Sequence, residues 1–136
     1  MLVGLAIAAV MAMVCVFVHA EVLALVERYC LRIRGLRASL LAIWGMLLSA
    51  HIFEVWLYAL AYWFGVSMQI GQLPGAEVWL DYVYFSSVVY TTLGFGDIVP
   101  TGGLRMVAGS QALVGLCLIA WSATATYAHV NSRRRG

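Results

Sequence analysis

Three long, predominantly apolar stretches, over about residues 2–26, 40–64 and 104–130, dominate this chain of 136 residues. A hydrocarbon core of about 30 Å is crossed by roughly 20 helical residues, so each stretch is long enough to span a bilayer once. Within lipid every backbone N–H and C=O must find a partner inside the protein, and for apolar runs of this length that means helices. The composition agrees. Of the residues 64% are hydrophobic and 10% charged, against about 45–50% and 25% in soluble domains. The expected class is an all-α, multi-pass membrane protein embedded in the lipid bilayer. The first stretch has no charge before Glu21. It is too long for the apolar core of a cleavable signal and is read as a retained helix, occupying about residues 1–28.

The placement of charge gives an orientation. All eight basic residues are arginines: Arg28, Arg32, Arg34 and Arg37 flank and fill a connection over 29–39, and Arg133, Arg134 and Arg135 lie in a tail over 131–136, leaving Arg105 alone elsewhere. Arginine-rich flanks stay in the cytoplasm, so the N-terminus and residues 65–103 are expected outside the plasma membrane and the C-terminus inside. The arginine run is spaced four, two and three, is broken by Gly35 and has no apolar span of its own, so it anchors a loop rather than senses voltage. A net charge of +2 is too small to imply a nucleic-acid partner. Cys15, Cys30 and Cys117 lack metal-ligand spacing. His19, His51 and His129 sit on separate segments, and no catalytic constellation or phosphate-cradling loop can be assembled, so neither an enzyme nor a bound cofactor is expected.

The outer segment is not a single loop. After the turn-forming string GQLPG at 71–75, residues 78–91 are aromatic and β-branched. As a helix they would measure about 20 Å, enough to reach only partway into the membrane. Such a segment between two spans reads as a re-entrant helix. The string TTLGFGDIVP at 91–100 follows it. Irregular backbone at membrane depth is tolerated where it lines a water-filled path, and glycines permit successive carbonyls to point the same way.

Thr92-Leu93-Gly94-Phe95-Gly96-Asp97 resembles the selectivity filter of potassium channels, commonly T-V-G-Y-G-D. The resemblance covers about 40–130, in the order outer helix (40–64), outer loop (65–77), pore helix (78–91), filter (92–97) and inner helix (104–130); the first helix lies outside it. It implies that carbonyl oxygens of Thr92, Leu93, Gly94 and Phe95, with the Thr92 hydroxyl and with Gly96 completing the G-x-G core, replace the hydration shell of permeant K+. One filter string per chain implies a four-fold symmetric homotetramer around a central pore. A weakly selective cation channel and a non-conducting structural or regulatory subunit are the alternatives.

The departures from the common pattern point to filter support. Where many family members carry a donor aromatic pair on the pore helix, this chain has Tyr84 and Phe85. Phe95 has no hydroxyl for Phe85 to hold, whereas Tyr84 is left to reach Asp97. Val88 stands where some members carry a bracing glutamate. On the inner helix Gly115 is either a hinge or a packing glycine, and Ile119, Ala123 and Thr124 are cavity candidates. Thr101 is the expected cap of that helix. Glu77 and Asp81 either enrich cations at the outer mouth or favour the dipole of the pore helix. His51 and Glu54, three apart on one helix, share a face. They are expected to form a hydrogen-bonded contact holding helix one, with proton sensing by His51 as the alternative. His19 and Glu21 are expected to snorkel toward the cytoplasmic surface.

Overall fold

The computed structural model describes residues 1–30 and 32–135, so Leu31 of the arginine-rich connection and Gly136 of the basic tail lie outside the described residues. Four helices follow in order: α1 (Leu2–Cys30), α2 (Leu36–Ser67), α3 (Trp79–Tyr90) and α4 (Leu104–Arg135). Three of them, α1, α2 and α4, are long and apolar enough to cross a membrane. No strand occurs among the described residues.

The long helices overshoot the expected spans. Helix α2 begins at Leu36 rather than 40 and ends at Ser67 rather than 64, and α4 runs on to Arg135 rather than stopping at 130. The physical reason is that the expected limits follow hydrocarbon thickness, whereas helix continues through the headgroup region while residues such as Arg, Leu and Ala favour it. Arg28 therefore sits in the last turn of α1, and most of the expected tail is helical. Arg133 reaches back to the arginine-rich connection, its guanidinium donating to the carbonyl of Ile33 at 2.8 Å.

Lipid is as apolar as a packed interior, so hydrophobicity does not mark the inward faces of these helices; small and polar residues do. In α1 the buried stripe is Gly4, Ala8, Cys15, His19, Val26 and Cys30, spaced by fours and sevens as one helix face requires. Helix α1 packs against α2 and α4, while α3 inserts between α2 and α4. Around α3, Tyr58, Tyr62, Phe85, Leu104 and Leu118 form one apolar cluster that includes Cys15. Nearer the arginine-rich connection Val26, Cys30, Ile43 and Leu47 form a second. Between these two clusters, along α1 and α2, lie the buried His19 and Glu54.

The 12 residues of α3 measure about 18 Å, a partial crossing. Its N-terminus is held by the Asp81 carboxylate, which accepts from the backbone N–H of Glu77 at 2.7 Å and of Val78 at 2.8 Å. Asp81 thus serves the helix end, with four unmatched donors to satisfy there. The outer loop is tied to the segment before α4: Thr101 N–H donates to Gln72 O at 2.9 Å and Gly103 N–H to Ile70 O at 2.9 Å. Thr101 does not cap α4 through its side chain as expected. Its hydroxyl oxygen accepts from Gln72 N–H at 2.9 Å, because the outer loop brings an unpaired donor closer than the helix end does.

Candidate functional site

The segment after α3 hangs from the last turn of that helix. Thr92 N–H donates to Val89 O at 3.0 Å, Leu93 N–H to Val88 O at 3.0 Å, and Gly94 N–H to the same Val88 oxygen at 3.4 Å. Thr91 Oγ1 donates to Ser87 O at 2.8 Å. From there φ is positive at every second residue: 60° at Thr92, 59° at Gly94 and 81° at Gly96. In a uniformly extended chain successive carbonyls alternate in direction. Inverting the sign of φ at alternate residues removes that alternation, which is the backbone condition for a row of carbonyls on one side. Gly94 and Gly96 adopt these angles freely, while Thr92 does so against a cost of about 1–2 kcal/mol. Residues 92–97 are all exposed in the single chain, with Leu93 at 58% and Phe95 at 63%.

At the outer end Tyr84 Oη donates to Asp97 Oδ2 at 2.7 Å. This bond holds the Asp97 carboxyl below the usual carboxylate range, since a donor to the ionised form favours it. The Asp81 carboxyl is also lowered, first by the backbone N–H of Val78 and then by that of Glu77. Phe85 is buried, its ring edge-on to Tyr62 with centroids 4.9 Å apart, so it belongs to the core behind the segment. Val88 contributes through its backbone oxygen rather than its side chain.

Behind α3 a buried amide links three helices. Gln111 Oε1 accepts from Tyr62 Oη at 2.6 Å, and Gln111 Nε2 donates to Ser86 Oγ at 2.7 Å and Ser86 O at 3.1 Å. Ser86 in turn donates to Val55 O at 2.7 Å. One helical turn further along, Gly115 packs against the carbonyl end of α3: a Cβ there would fall inside the radius of the Tyr90 carbonyl oxygen, with Tyr90 C at 3.0 Å and Tyr90 Cγ at 3.1 Å. Of the two readings of Gly115, the contact observed is close packing. Ile119, Ala123 and Thr124 are exposed on α4 in the single chain, and the Thr124 hydroxyl donates to its own helix at Ala120 O, 2.9 Å away.

The polar pair on α2 is part of something larger. His51 Nδ1 lies 3.4 Å from Glu54 Oε2, but His19 from α1 approaches the same carboxylate more closely, with Nδ1 3.0 Å from Oε1. Tyr90 Oη donates to Glu54 Oε2, and both imidazole Nε2 atoms meet Ser122 Oγ, at 3.0 Å from His19 and 3.1 Å from His51. His19 is therefore not a snorkelling residue; it is fully buried, because a carboxylate and a hydroxyl on neighbouring helices satisfy both of its ring nitrogens. Gln111, Ser122 and Tyr90 escaped the reading of the sequence. The usable signal was the spacing of Gln111, Gly115, Leu118 and Ser122, which is one stripe of α4 carrying two polar residues.

A family model described as ion channel matches residues 46–130, the whole stretch from mid-α2 through most of α4. The uncharacterized membrane protein YdjJ of Bacillus subtilis (strain 168) is 32% identical over 105 residues, covering 70% of this chain and 30% of that protein. The chain thus spans about a third of that relative's length. No solved structure matches.

Proposed function

The chain belongs to the ion channel family, and from that premise we propose that it conducts K+ selectively and passively through a homotetramer, with residues 92–97 of four subunits surrounding one pore. The observation that carries this reading is the alternation of positive φ at Thr92, Gly94 and Gly96 in a segment fastened to the end of a half-crossing helix. Carbonyls of Thr92, Leu93, Gly94 and Phe95, repeated four times, replace the water shell of a dehydrating cation, and the Thr92 hydroxyl adds an inner ring.

The surrounding chemistry supports cation traffic. Helix α3 ends at Tyr90, and its carbonyl end carries about half a negative charge directed at the ion before it enters the segment. Asp97 stays ionised beside the outer end because Tyr84 bonds to its charged form. The exposure of Leu93 and Phe95 in a single chain is relieved in a tetramer, where neighbouring subunits cover them. The molecule sits in the plasma membrane with its N-terminus outside and its arginine-flanked ends in the cytoplasm.

Reconstitution of the purified chain in liposomes, with K+ and Na+ flux compared under equal gradients, tests the reading. Flux of K+ at least about tenfold over Na+, equivalent to about 1.4 kcal/mol of discrimination, is expected from a tetramer. Equal permeability of the two ions would leave a weakly selective channel, and no flux at all a structural subunit.

A further inference from the structure

At mid-depth, donor atoms from three helices converge on one carboxylate. His19 Nδ1 is 3.0 Å from Glu54 Oε1, and His51 Nδ1 is 3.4 Å from Glu54 Oε2 and 2.7 Å from Tyr90 Oη. The ligand atoms of His19, His51 and Glu54 all lie within 4.8 Å of one another. We propose that these three residues, with Tyr90 Oη as fourth donor, bind one divalent transition-metal ion of the zinc class in each subunit. Bond lengths of about 2.0–2.2 Å set tetrahedral edges near 3.3–3.5 Å, so the closest donors part from 2.7–3.0 Å while the most distant, at up to 4.8 Å, draw in.

The hydrogen-bond partners on the far side of the rings are compatible with a cation at this point. Ser122 Oγ faces two imidazole nitrogens, His19 Nε2 at 3.0 Å and His51 Nε2 at 3.1 Å. A hydroxyl has one hydrogen and two lone pairs, so it donates to at most one of the rings and accepts from at least one. Accepting from a ring places its proton on Nε2 and turns its Nδ1 lone pair to the side where Glu54 and Tyr90 lie. A lone pair facing a carboxylate is accommodated by a metal ion between the two as well as by a proton. This is the usual arrangement of metal-ligating histidines, whose far nitrogen donates to an orienting group.

The donor set of two imidazoles, a carboxylate and a phenol oxygen suits zinc and its first-row neighbours better than calcium or magnesium, which take oxygen alone. Charge balance also works. A divalent ion held by one carboxylate and two neutral imidazoles carries a net charge of +1, and loss of the Tyr90 phenolic proton to solvent on binding brings the site to neutrality. Neutrality matters here because His19 and Glu54 have no exposed side-chain surface and a net charge at this depth is costly. The His51 side chain, 17% exposed, is the open side by which the ion enters. The site stands on this geometry and does not require that the pore conduct K+.

The test uses the full chain in detergent, stripped with a chelator, loaded with Co2+ and dialysed. About one Co2+ retained per chain, with the strong visible absorption of tetrahedral cobalt and displacement by Zn2+, is expected. His51→Gln should weaken binding by at least about 100-fold. Ser122→Ala, a change small enough to preserve the fold, should weaken it by about 10–100-fold through loss of the orienting acceptor. Retention below about a tenth of an equivalent by the wild-type protein, a weak octahedral spectrum, or wild-type affinity in Ser122→Ala overturns the proposal.

Discussion

Replacing Gly115 with alanine adds one methyl group at the tightest contact between α4 and α3. The new Cβ would overlap the Tyr90 carbonyl oxygen and press on Tyr90 C and Cγ. Two of those three atoms are backbone at the last residue of α3 and cannot rotate away. Overpacking a core costs about 1–3 kcal/mol, and an immovable neighbour places this case at the upper end. Against that, alanine in place of glycine in a helix gains up to about 1 kcal/mol. The net expectation is a loss of about 2 kcal/mol per subunit. Gly45, in the interior of α2, has nothing within 4 Å of its hypothetical Cβ, so Gly45→Ala should keep the propensity gain and stabilise by up to about 1 kcal/mol. The two variants should separate by about 3 kcal/mol when unfolding is followed in mixed micelles by circular dichroism. Tyr90 immediately precedes the segment that begins at Thr91, so Gly115→Ala should also lower the K+ to Na+ flux ratio in liposomes. If Gly115→Ala were as stable as Gly45→Ala, close packing would not be its role, and a change confined to open probability would make it a hinge.

Tyr84→Phe removes the donor to Asp97, and conductance or inactivation of reconstituted channels should change; identical records would refute the outer brace. Because Asp97 and Asp81 are more acidic in the folded protein than free, what their bonds contribute is fully present at neutral pH and is lost only as pH falls through the lowered values, below about pH 4. Outer acidification from pH 8 to about 5 should therefore leave these contacts intact, and in Tyr84→Phe the acid loss of flux should begin at higher pH. Gln111→Leu leaves Tyr62 Oη without its acceptor and should cost about 1–3 kcal/mol in the same unfolding assay; a neutral result would mean that the amide link between α2, α3 and α4 carries no stability. Gly94→Ala forces a Cβ into φ 59° at about 1–2 kcal/mol and should abolish K+ selectivity, while intact selectivity would mean that the alternation is not needed.

Much of this molecule was readable from local properties. A membrane span is a matter of length and apolarity, so all three crossing helices were legible. The re-entrant α3 was legible from its shortness and from the turn string before it. Residues 92–97 were legible because glycine at 94 and 96 announces a backbone conformation, and the tie between Tyr84 and Asp97 through the family resemblance of the helix before that segment. The helix ends were not, since hydrocarbon thickness limits burial but not helix formation, and α2 and α4 continue past it. Thr101 was misassigned because its partner, Gln72, comes from a loop 29 residues away in sequence.

What the sequence alone determined is the set of crossings and the backbone character of the segment after α3, both of which follow from hydropathy and glycine within a few residues of each site. What only the tertiary structure decided is which polar residues meet. In a lipid-facing chain the inward and outward faces are equally apolar, so periodicity cannot say that His19, Glu54, Tyr90 and Ser122 share one point, or that Gly115 rests on the Tyr90 carbonyl. Those contacts arise from the rotation and depth of four helices relative to one another, which depend on every packed side chain together rather than on any local string.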